Sequence, residues 1–173
     1  MAVSLLEAVI ARGCRTMIAC GSCGVLDGSL PMGHVIVPTE AIRDEGTSYH
    51  YLAPGTPALP NSACLTAIET TLQRHHVPYQ KTKTWTTDAF FRETRGKIKH
   101  RREQGCGCVE MEAAAFFAVA SFRGIRLGQM LYGGDDVSGD SWDNRNWIDG
   151  AWSTRERLLQ LAVEACLAVA VAD

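Results

Sequence analysis

Apolar and polar positions along the chain follow two different spacings in turn. Several segments carry apolar side chains three or four positions apart, which predicts amphipathic helices. These helical segments are residues 4–11, 61–74, 113–123 and 153–171. Other segments are short, continuous apolar runs, which are typical of buried strands. These runs are residues 16–20, 34–38 and 127–132. The alternation predicts an α/β fold, a layered α/β/α domain with a mixed, mostly parallel central sheet, formed as a single domain by residues 1–173.

Three local sequences predict how these elements begin, end and neighbour one another. Gly21-Ser22-Cys23-Gly24 follows the first strand and is predicted to form a glycine-rich turn whose backbone amides could approach an anion. Residues 79–86 alternate Lys and Thr with Tyr and Trp, which predicts a strand at an edge of the sheet. Ser153-Thr154-Arg155-Glu156 has the pattern of a capping box, so we expect it to begin the last helix.

Composition and charge exclude several classes of function. The formal net charge is -2, which gives no electrostatic footprint for nucleic acid. No apolar run reaches the roughly 18 residues that a bilayer-spanning helix needs, so we expect no membrane partner. Residues 1–7 lack the basic start of a signal peptide, and we expect a cytoplasmic protein.

The chain has seven cysteines, an odd number that fits free thiols in a reducing compartment better than a disulfide framework. Two pairs are close in sequence, Cys20 with Cys23 and Cys106 with Cys108. A zinc site would need both pairs to come together in space. We expect no metal and interpret these thiols as small apolar groups packed at strand ends.

Two acidic clusters carry the candidate chemistry. Glu110 and Glu112 come directly before an alanine-rich helical segment, where the helix dipole favours negative charge. Asp135 and Asp136 follow the apolar run 127–132, and ligands of α/β sheets bind at the carboxyl ends of such strands. The first cluster alone could be a charged helix start, and the second cluster makes a shared binding site the better hypothesis.

Four segments resemble the nucleoside phosphorylase and uridine phosphorylase superfamily, and they occur in that family's order. Val109-Glu110-Met111-Glu112-Ala113-Ala114 resembles its ribose-binding signature. Thr87-Asp88-Ala89-Phe90-Phe91 is similar to its base-pocket segment. The other two segments are residues 21–26, similar to its glycine-rich turn, and residues 30–38, similar to its next strand. The resemblance implies the family's phosphorylase/hydrolase-like fold.

The resemblance also implies roles for individual residues. Asp135 corresponds to the general acid at N7 of the leaving base, and Asp136 could help to keep it protonated by like-charge repulsion. The substrate-binding residues implied are Ser22, Gly24, Thr87, Phe90, Val109, Glu110, Met111 and Glu112, with Glu112 accepting from the ribose hydroxyls and Met111 beneath the sugar. Gly21 and Ser22 correspond to part of the phosphate site, whereas Phe91 is expected to pack in the core. No cofactor is implied, because inorganic phosphate is a co-substrate.

The sequence departs from the family pattern in two ways that bear on phosphate. Ala19 occupies a position where the family's phosphorylases usually carry Arg. The family also has an earlier strand and phosphate loop, so we expect the chain to be N-terminally truncated. Each charge-assisted hydrogen bond lost with such a loop would cost about 1.5–3 kcal/mol. The resemblance further implies a homo-oligomer whose active sites are completed by a neighbouring subunit.

These observations leave three functional hypotheses. The first is a nucleoside phosphorylase that converts a ribonucleoside and phosphate into free base and ribose 1-phosphate. The second is a hydrolytic nucleosidase, which uses water and tolerates Ala19. The third is an inactive domain that binds a nucleoside or assembles with partner subunits. Dependence of base release on phosphate separates the first two, and ligand-induced stabilisation without turnover would indicate the third.

Overall fold

The structure is a computed structural model and describes residues 1–171. This part of the chain contains five strands and six α-helices. The strands are β1 (Thr16–Val25), β2 (Val35–Asp44), β3 (Tyr79–Thr87), β4 (Cys106–Glu110) and β5 (Arg126–Asp136). The helices are α1 (Ala2–Ala11), α2 (Ser62–Arg74), α3 (Arg95–Glu103), α4 (Ala113–Arg123), α5 (Trp147–Gly150) and α6 (Trp152–Val171). No helix within residues 1–171 has the length and apolar character needed to cross a membrane.

The five strands form one mixed sheet that closes on itself in the order β1-β4-β3-β2-β5. Three of the pairings are parallel, β1 with β5, β2 with β3, and β3 with β4. The two antiparallel pairings are short: β1 meets β4 only at Gly24 and Val25, and β2 meets β5 only at Val35 and Ile36. The predicted α/β fold with a mixed, mostly parallel sheet is confirmed, and its closure into a barrel was not foreseen.

Helices cover two sides of this barrel. On one side, α2 and α6 bury Ile68, Leu72 and Leu161 against Met130 of β5. The backbones come close there because residue 128 is Gly: a Cβ at that position would lie 2.8 Å from Cβ of Cys64. On another side, α4 packs against α1 and β5 in a second cluster. This cluster contains Leu6, Ile10, Ala113, Ala114, Phe117, Ile125 and Leu127.

The glycine-rich segment is not a turn, so that prediction is wrong. β1 continues through residues 21–24 to Val25 and pairs in parallel with β5, with an irregularity of register between Cys23 and Val25. Gly24 then pairs with Val109 of β4, and a Cβ on Gly24 would lie only 3.1 Å from Cγ1 of Val109. The small residues therefore permit a close crossing of two strands rather than a reversal of the chain.

The prediction that residues 79–86 form an edge strand is also wrong. β3 lies between β2 and β4, and Thr84, Trp85, Thr86 and Thr87 at its end are buried. Its polar positions are tolerated inside the fold because the hydroxyls of Thr84 and Thr86 donate hydrogen bonds to the carboxylate of Glu110. In the sequence, alternating polar residues that form buried hydrogen bonds cannot be distinguished from alternating polar residues that face solvent.

The last helix begins at Trp152, so Ser153 lies inside it and the capping-box prediction is wrong. Its start is held instead by Arg155. The Arg155 Nε donates to the hydroxyl of Tyr132 at 2.9 Å, and its Nη2 donates to the carbonyl of Trp147 at 3.0 Å. The other predicted helix start is confirmed: Oδ1 of Asn61 accepts from the amide of Ala63, which caps α2.

The buried carboxylate of Glu110 joins β4 to β3 and α4. Its Oε1 accepts a 2.6 Å hydrogen bond from the hydroxyl of Thr86, and its Oε2 accepts 2.7 Å bonds from the amides of Glu112 and Ala113. The amide of Ala114 in turn donates to Oγ1 of Thr86. Free amides at the start of α4 are thus satisfied by a side chain from the preceding strand, which fixes where the helix begins.

Burial raises the pKa of Glu110 to about 7, although the hydrogen bonds from Thr86 and the Ala113 and Glu112 amides act to lower it. An ordinary glutamate in an unfolded chain has a pKa of about 4.3. The folded state therefore holds the Glu110 proton more tightly than the unfolded state does. As a result, this group makes the free energy of unfolding decrease as the pH rises from about 5 to about 8.

We expect Phe117→Ala to lower the free energy of unfolding by about 3–5 kcal/mol, because it would leave a cavity between α4 and the sheet. The matched control is Phe122→Ala on the same helix, where the side chain is 58% exposed and contacts Tyr51 edge-on. The control should cost about 1 kcal/mol or less. Urea denaturation of both variants measures the difference, and equal losses would contradict this packing.

We expect Glu110→Gln to destabilise the fold by about 2 kcal/mol near neutral pH, because an amide presents one acceptor oxygen where two are used and turns its own N–H groups toward other donors. The variant should also show a shallower fall in stability between about pH 5 and 8 than the wild type. Thermal denaturation across this range measures both effects. Glu103→Gln, an exposed carboxylate on α3, is the control. A Glu110 variant with unchanged stability and pH slope would refute the anchoring role.

Candidate active site

A cavity of about 650 Å³ opens where β1, β4 and β5 end. Both acidic clusters contribute to it, because Glu112 and Asp135 line the same space. The predicted site residues that line it are Ser22, Gly24, Phe90, Val109, Glu110, Met111, Glu112 and Asp135. The structure therefore brings together in one cleft side chains that lie more than a hundred positions apart in the sequence.

Gly21 and Thr87 are not among the residues that line this cavity. Gly21 lies within β1 opposite Leu131, whose Cδ2 would be 3.8 Å from a Cβ at that position. Thr87 is 1% exposed, and its hydroxyl oxygen accepts a hydrogen bond from the amide of Ala89. Neither Gly21 nor Thr87 is therefore exposed to the cavity.

One wall of the cavity is formed by Glu110, Met111 and Glu112, where β4 ends and α4 begins. Glu112 occupies the cap position of α4, but its side chain makes no capping hydrogen bond because Glu110 already serves the first amides. The Glu112 carboxyl therefore lines the cavity, and burial raises its pKa above the usual value, although a hydrogen bond from the Met111 amide acts to lower it. Met111 lines the cavity beside it and is 41% exposed.

Asp135 and Asp136 point to opposite faces of β5, as successive residues of a strand do. Asp135 lines the cavity, and its Oδ2 accepts a 2.6 Å hydrogen bond from Nε1 of Trp142. Asp136 is bound on the other face by Arg145 at 2.8 Å. Although burial acts to raise it, hydrogen bonds from Ser138 and the charge of Arg145 lower the pKa of Asp136. The two carboxylates therefore point away from each other, and Asp136 is engaged by Arg145 and Ser138.

Four aromatic side chains surround the cavity: Phe90, Phe91, Trp142 and Trp147. Phe90 and Phe91 contact each other with ring centroids 4.1 Å apart. Phe91 is 88% exposed, so the prediction that it packs in the core is wrong. The 3₁₀ turn Phe90–Arg92 carries both rings out over the opening, where their faces are available to a planar ligand.

Glu93 is a cavity residue that the sequence motifs did not identify. It follows the Phe90–Arg92 turn and lines the cavity together with Asp135. Burial, followed by the negative charge of Asp135, raises the pKa of Glu93 to about 7. Glu93 is one of two acids in the strongly basic segment 92–104, and the sequence offers no reason to place it near Asp135.

The cavity carries far more negative than positive groups. Its acidic lining residues are Glu93, Glu110, Glu112, Asp135 and Asp140. Of the described residues that line it, Arg95 is the only cation, and its guanidinium is already bound to Asp140 through the carbonyl at 2.6 Å and the carboxylate at 3.2 Å. Within residues 1–171 the cavity therefore contains no uncommitted cation for a phosphate ion.

The remaining cations of α3 are directed elsewhere. Lys97 and Arg101 bind Asp44 at 3.2 and 3.1 Å and approach the ring of Trp85. Lys99 and Arg102 lie on another face of the helix, where they line a smaller cavity of about 440 Å³ next to the first. The basic segment is thus divided between an internal ion-pair cluster and an exposed face.

The cysteines of both close pairs are free thiols, and Cys23 and Cys108 pack together in one buried cluster with Val25, Ile36 and Leu131. Cys20 is exposed and lies outside that cluster. Within residues 1–171 no group of three or more His, Cys, Asp or Glu side chains is placed to hold a metal ion.

Curated relatives of the chain are nucleoside phosphorylases. It is 28% identical over 163 residues to the guanosine phosphorylase of Halorubrum lacusprofundi. The matched region covers 91% of this chain and 67% of that protein. It is 24% identical over 139 residues to the uridine phosphorylase of Haemophilus influenzae, covering 72% of this chain and 55% of that protein. The chain therefore spans between half and two thirds of these relatives' lengths.

Solved structures share the fold. A Plasmodium knowlesi homologue of the P. falciparum PNP superposes with a TM-score of 0.81 at 18% identity, over 96% of this chain and 67% of that one. The AMP nucleosidase of Bacteroides thetaiotaomicron superposes with a TM-score of 0.72 at 24% identity, over 90% of this chain and 60% of that one. The family model described as the phosphorylase superfamily matches residues 1–170. The chain thus belongs to the phosphorylase superfamily.

Proposed function

We propose that this chain carries the catalytic site of a nucleoside phosphorylase, which cleaves the N-glycosidic bond of a ribonucleoside to give free base and ribose 1-phosphate. The observation that supports this most is the common cavity of Glu112 and Asp135, whose size of about 650 Å³ suits a nucleoside. Membership of the phosphorylase superfamily and similarity to guanosine and uridine phosphorylases support the same reaction.

Each part of the cavity would serve one part of the substrate. The base would stack on Phe90 with its ring nitrogen toward Asp135, and the ribose hydroxyls would donate to the Glu112 carboxylate above Met111. As the bond from the sugar carbon to the base nitrogen breaks, its electron pair moves to the base and positive charge develops on the sugar. Asp135 would donate a proton to the base, and a phosphate oxygen would bond to the sugar carbon.

Phosphate would bind near Ser22 and Gly24, with Gly21 directly behind them on β1. This is the part of the proposal that the chain supplies least, because Arg95 is bound to Asp140 and Ala19 offers no charge. We propose that the cation for phosphate comes from a neighbouring subunit of a homo-oligomer, and that the protein works in the cytoplasm. Thr87 would support the base-binding turn from behind, since its hydroxyl oxygen accepts from the Ala89 amide.

Hydrolysis is the second candidate, and the shortage of free cations in the cavity favours it. Water needs no cation to bind, and the ionised carboxylates among the five acidic groups of the site would repel a phosphate dianion. The structural similarity to an AMP nucleosidase is compatible with this alternative. A nucleosidase would use the same contacts to sugar and base and differ only in the nucleophile.

Base release from purine and pyrimidine ribonucleosides, assayed with and without inorganic phosphate, separates the candidates. Phosphorolysis requires phosphate and yields ribose 1-phosphate, whereas hydrolysis proceeds without phosphate and yields ribose. We expect release to depend on phosphate. Phosphate-independent formation of ribose would establish the nucleosidase instead. Nucleoside-induced thermal stabilisation with no turnover under either condition would indicate a binding or assembly domain.

We expect Asp135→Asn to lower kcat by about 100-fold or more while changing nucleoside affinity by about threefold or less, because the amide keeps the shape and the Trp142 contact but cannot donate a carboxyl proton. Asp143→Asn is the control, since Asp143 lies on an exposed part of the following loop and does not line the cavity. Steady-state kinetics and equilibrium binding measure the two quantities. Equal activity of wild type and Asp135→Asn would remove Asp135 from the mechanism.

A further inference from the structure

The carboxyl of Asp135 is held by a side chain to which the proposed reaction assigns no role. Its Oδ2 accepts a 2.6 Å hydrogen bond from Nε1 of Trp142, which is the only side-chain hydrogen bond described for Asp135 within residues 1–171. Its other oxygen lies beside β1, where a Cβ on Gly24 would be 3.4 Å from Oδ1. Because Gly24 and Asp135 both line the cavity, Oδ1 is the oxygen left for a ligand.

We propose that Trp142 is a positioning residue for bond cleavage, whose indole N–H holds Oδ2 of Asp135 so that Oδ1 carries the proton for the leaving base. The proposal deepens the proposed function and rests on it. Trp142 lies outside the four segments that carry the family resemblance, and its neighbours in the sequence do not mark it as a partner of Asp135.

The pairing of the following loop with β5 brings Trp142 to this carboxyl. Asp136 and Asp143 exchange backbone hydrogen bonds of 2.8 and 3.0 Å and so form an antiparallel pair. The next residues along, Val137 and Trp142, are then opposite each other, with side chains on the same face as Asp135. All three of these side chains line the cavity, as this register requires. The backbone therefore directs the indole toward Asp135.

Contacts on the opposite face of β5 hold the loop in this register without the help of a ligand. Arg145 donates to Oδ2 of Asp136 at 2.8 Å and to the carbonyl of Leu30 at 2.6 Å. The Oδ1 of Asp136 accepts a 2.8 Å hydrogen bond from the amide of Ser138. The side chains of Arg145 and Asp136 are each only 15% exposed. The indole donor is therefore already in place, and it needs no reorganisation when charge develops on Asp135.

An indole N–H suits this role because it is a donor only and carries no charge. A Lys or Arg at the same position would strongly favour the ionised carboxylate before the substrate binds. The one cation among the described lining residues, Arg95, is bound to Asp140. Trp147 also lines the cavity, but it packs on the backbone of Gly134, where a Cβ would be 3.4 Å from Cγ of Trp147. Trp142 is thus the neutral donor that the wall provides.

The contact should grow stronger as the reaction proceeds. The bond between sugar carbon and base nitrogen breaks, and its electron pair moves to the base. The O–H bond at Oδ1 of Asp135 breaks as well, its proton goes to a ring nitrogen of the base, and its electron pair stays on the carboxylate. Hydrogen bonds to a carboxylate are stronger than those to a neutral acid, so Trp142 stabilises the transition state more than the ground state. Asp135 regains a proton from solvent before the next turnover.

Two replacements of the indole test the N–H. Trp142→Phe keeps an aromatic ring and removes the donor. Replacement of Trp142 by benzothienylalanine, through nonsense suppression, puts sulfur in place of the N–H and preserves the size and faces of the ring. We expect both to lower kcat for a neutral base by about tenfold or more, and the second to change KM by about twofold or less. The control is Trp152→Phe, which should leave kcat unchanged, because Trp152 is 70% exposed and does not line the cavity.

A nucleoside with an N-alkylated, positively charged base separates proton transfer from binding, because this base leaves neutral without a proton. Both Trp142 variants should cleave it within about threefold of the wild-type rate. Wild-type kcat for a neutral base in the benzothienylalanine variant would overturn the proposal, since it would show that only the shape of the ring matters. An equal loss of kcat for the charged and the neutral base would overturn it as well.

A measurement without turnover distinguishes failure of the contact from failure of the proposed function. The chain has four tryptophans, so NMR signals of their indole N–H groups are few, and Trp142→Phe identifies one of them. Asp135→Asn should move the Trp142 signal upfield, because an amide oxygen is a weaker acceptor than a carboxylate. The signal of Trp85, which donates to Asp44 at 3.0 Å, should stay in place.

A Trp142 signal that does not respond to Asp135→Asn would overturn the positioning role even in an active enzyme. The expected upfield movement in a chain that cleaves no nucleoside would instead show that the contact exists and the proposed function fails, and the role in catalysis would fail with it.

Discussion

A single buried carboxylate determines where the cavity-facing side chains of the Glu-Met-Glu segment can lie. Glu110 accepts hydrogen bonds from β3 and from the first amides of α4, so strand and helix are joined within one residue of Met111. This spares Glu112 from capping the helix, which is the usual use of an acidic residue at that position. Glu110 therefore binds the backbone at the start of the helix, whereas Glu112 has its side chain in the cavity wall.

The opposite wall depends on the pleat of β5. Neighbouring aspartates point to different faces, so one lies in the cavity and the other binds Arg145 and secures the loop that carries Trp142. That loop returns to the strand, since Asp136 and Asp143 exchange backbone hydrogen bonds of 2.8 and 3.0 Å. A structural aspartate thus positions the indole that contacts its neighbour, and the cavity acquires an acidic interior with aromatic edges.

Much of the fold and part of the site could be predicted from the sequence, and the failures share a cause. Helix and strand positions follow from local periodicity, and Asn61 as a cap follows from local hydrogen bonding. The interior position of β3, the continuation of β1 through Gly24 and the position of Glu93 depend on which strands meet, and local sequence does not encode that directly. Strand alternation would have placed Asp135 and Asp136 on opposite faces of β5, if the predicted strand had been extended through Asp136.

The cavity lies across one of the two short junctions that close the sheet. The ring of strands is joined by long parallel pairings except at two junctions, and one of these is the contact of Gly24 and Val25 with β4. Ser22 and Gly24 line the cavity on one side of that junction, and Val109 and Glu110 line it on the other. A molecule bound across them would contact both strands of this short junction, so ligand binding and closure of the barrel should stabilise each other.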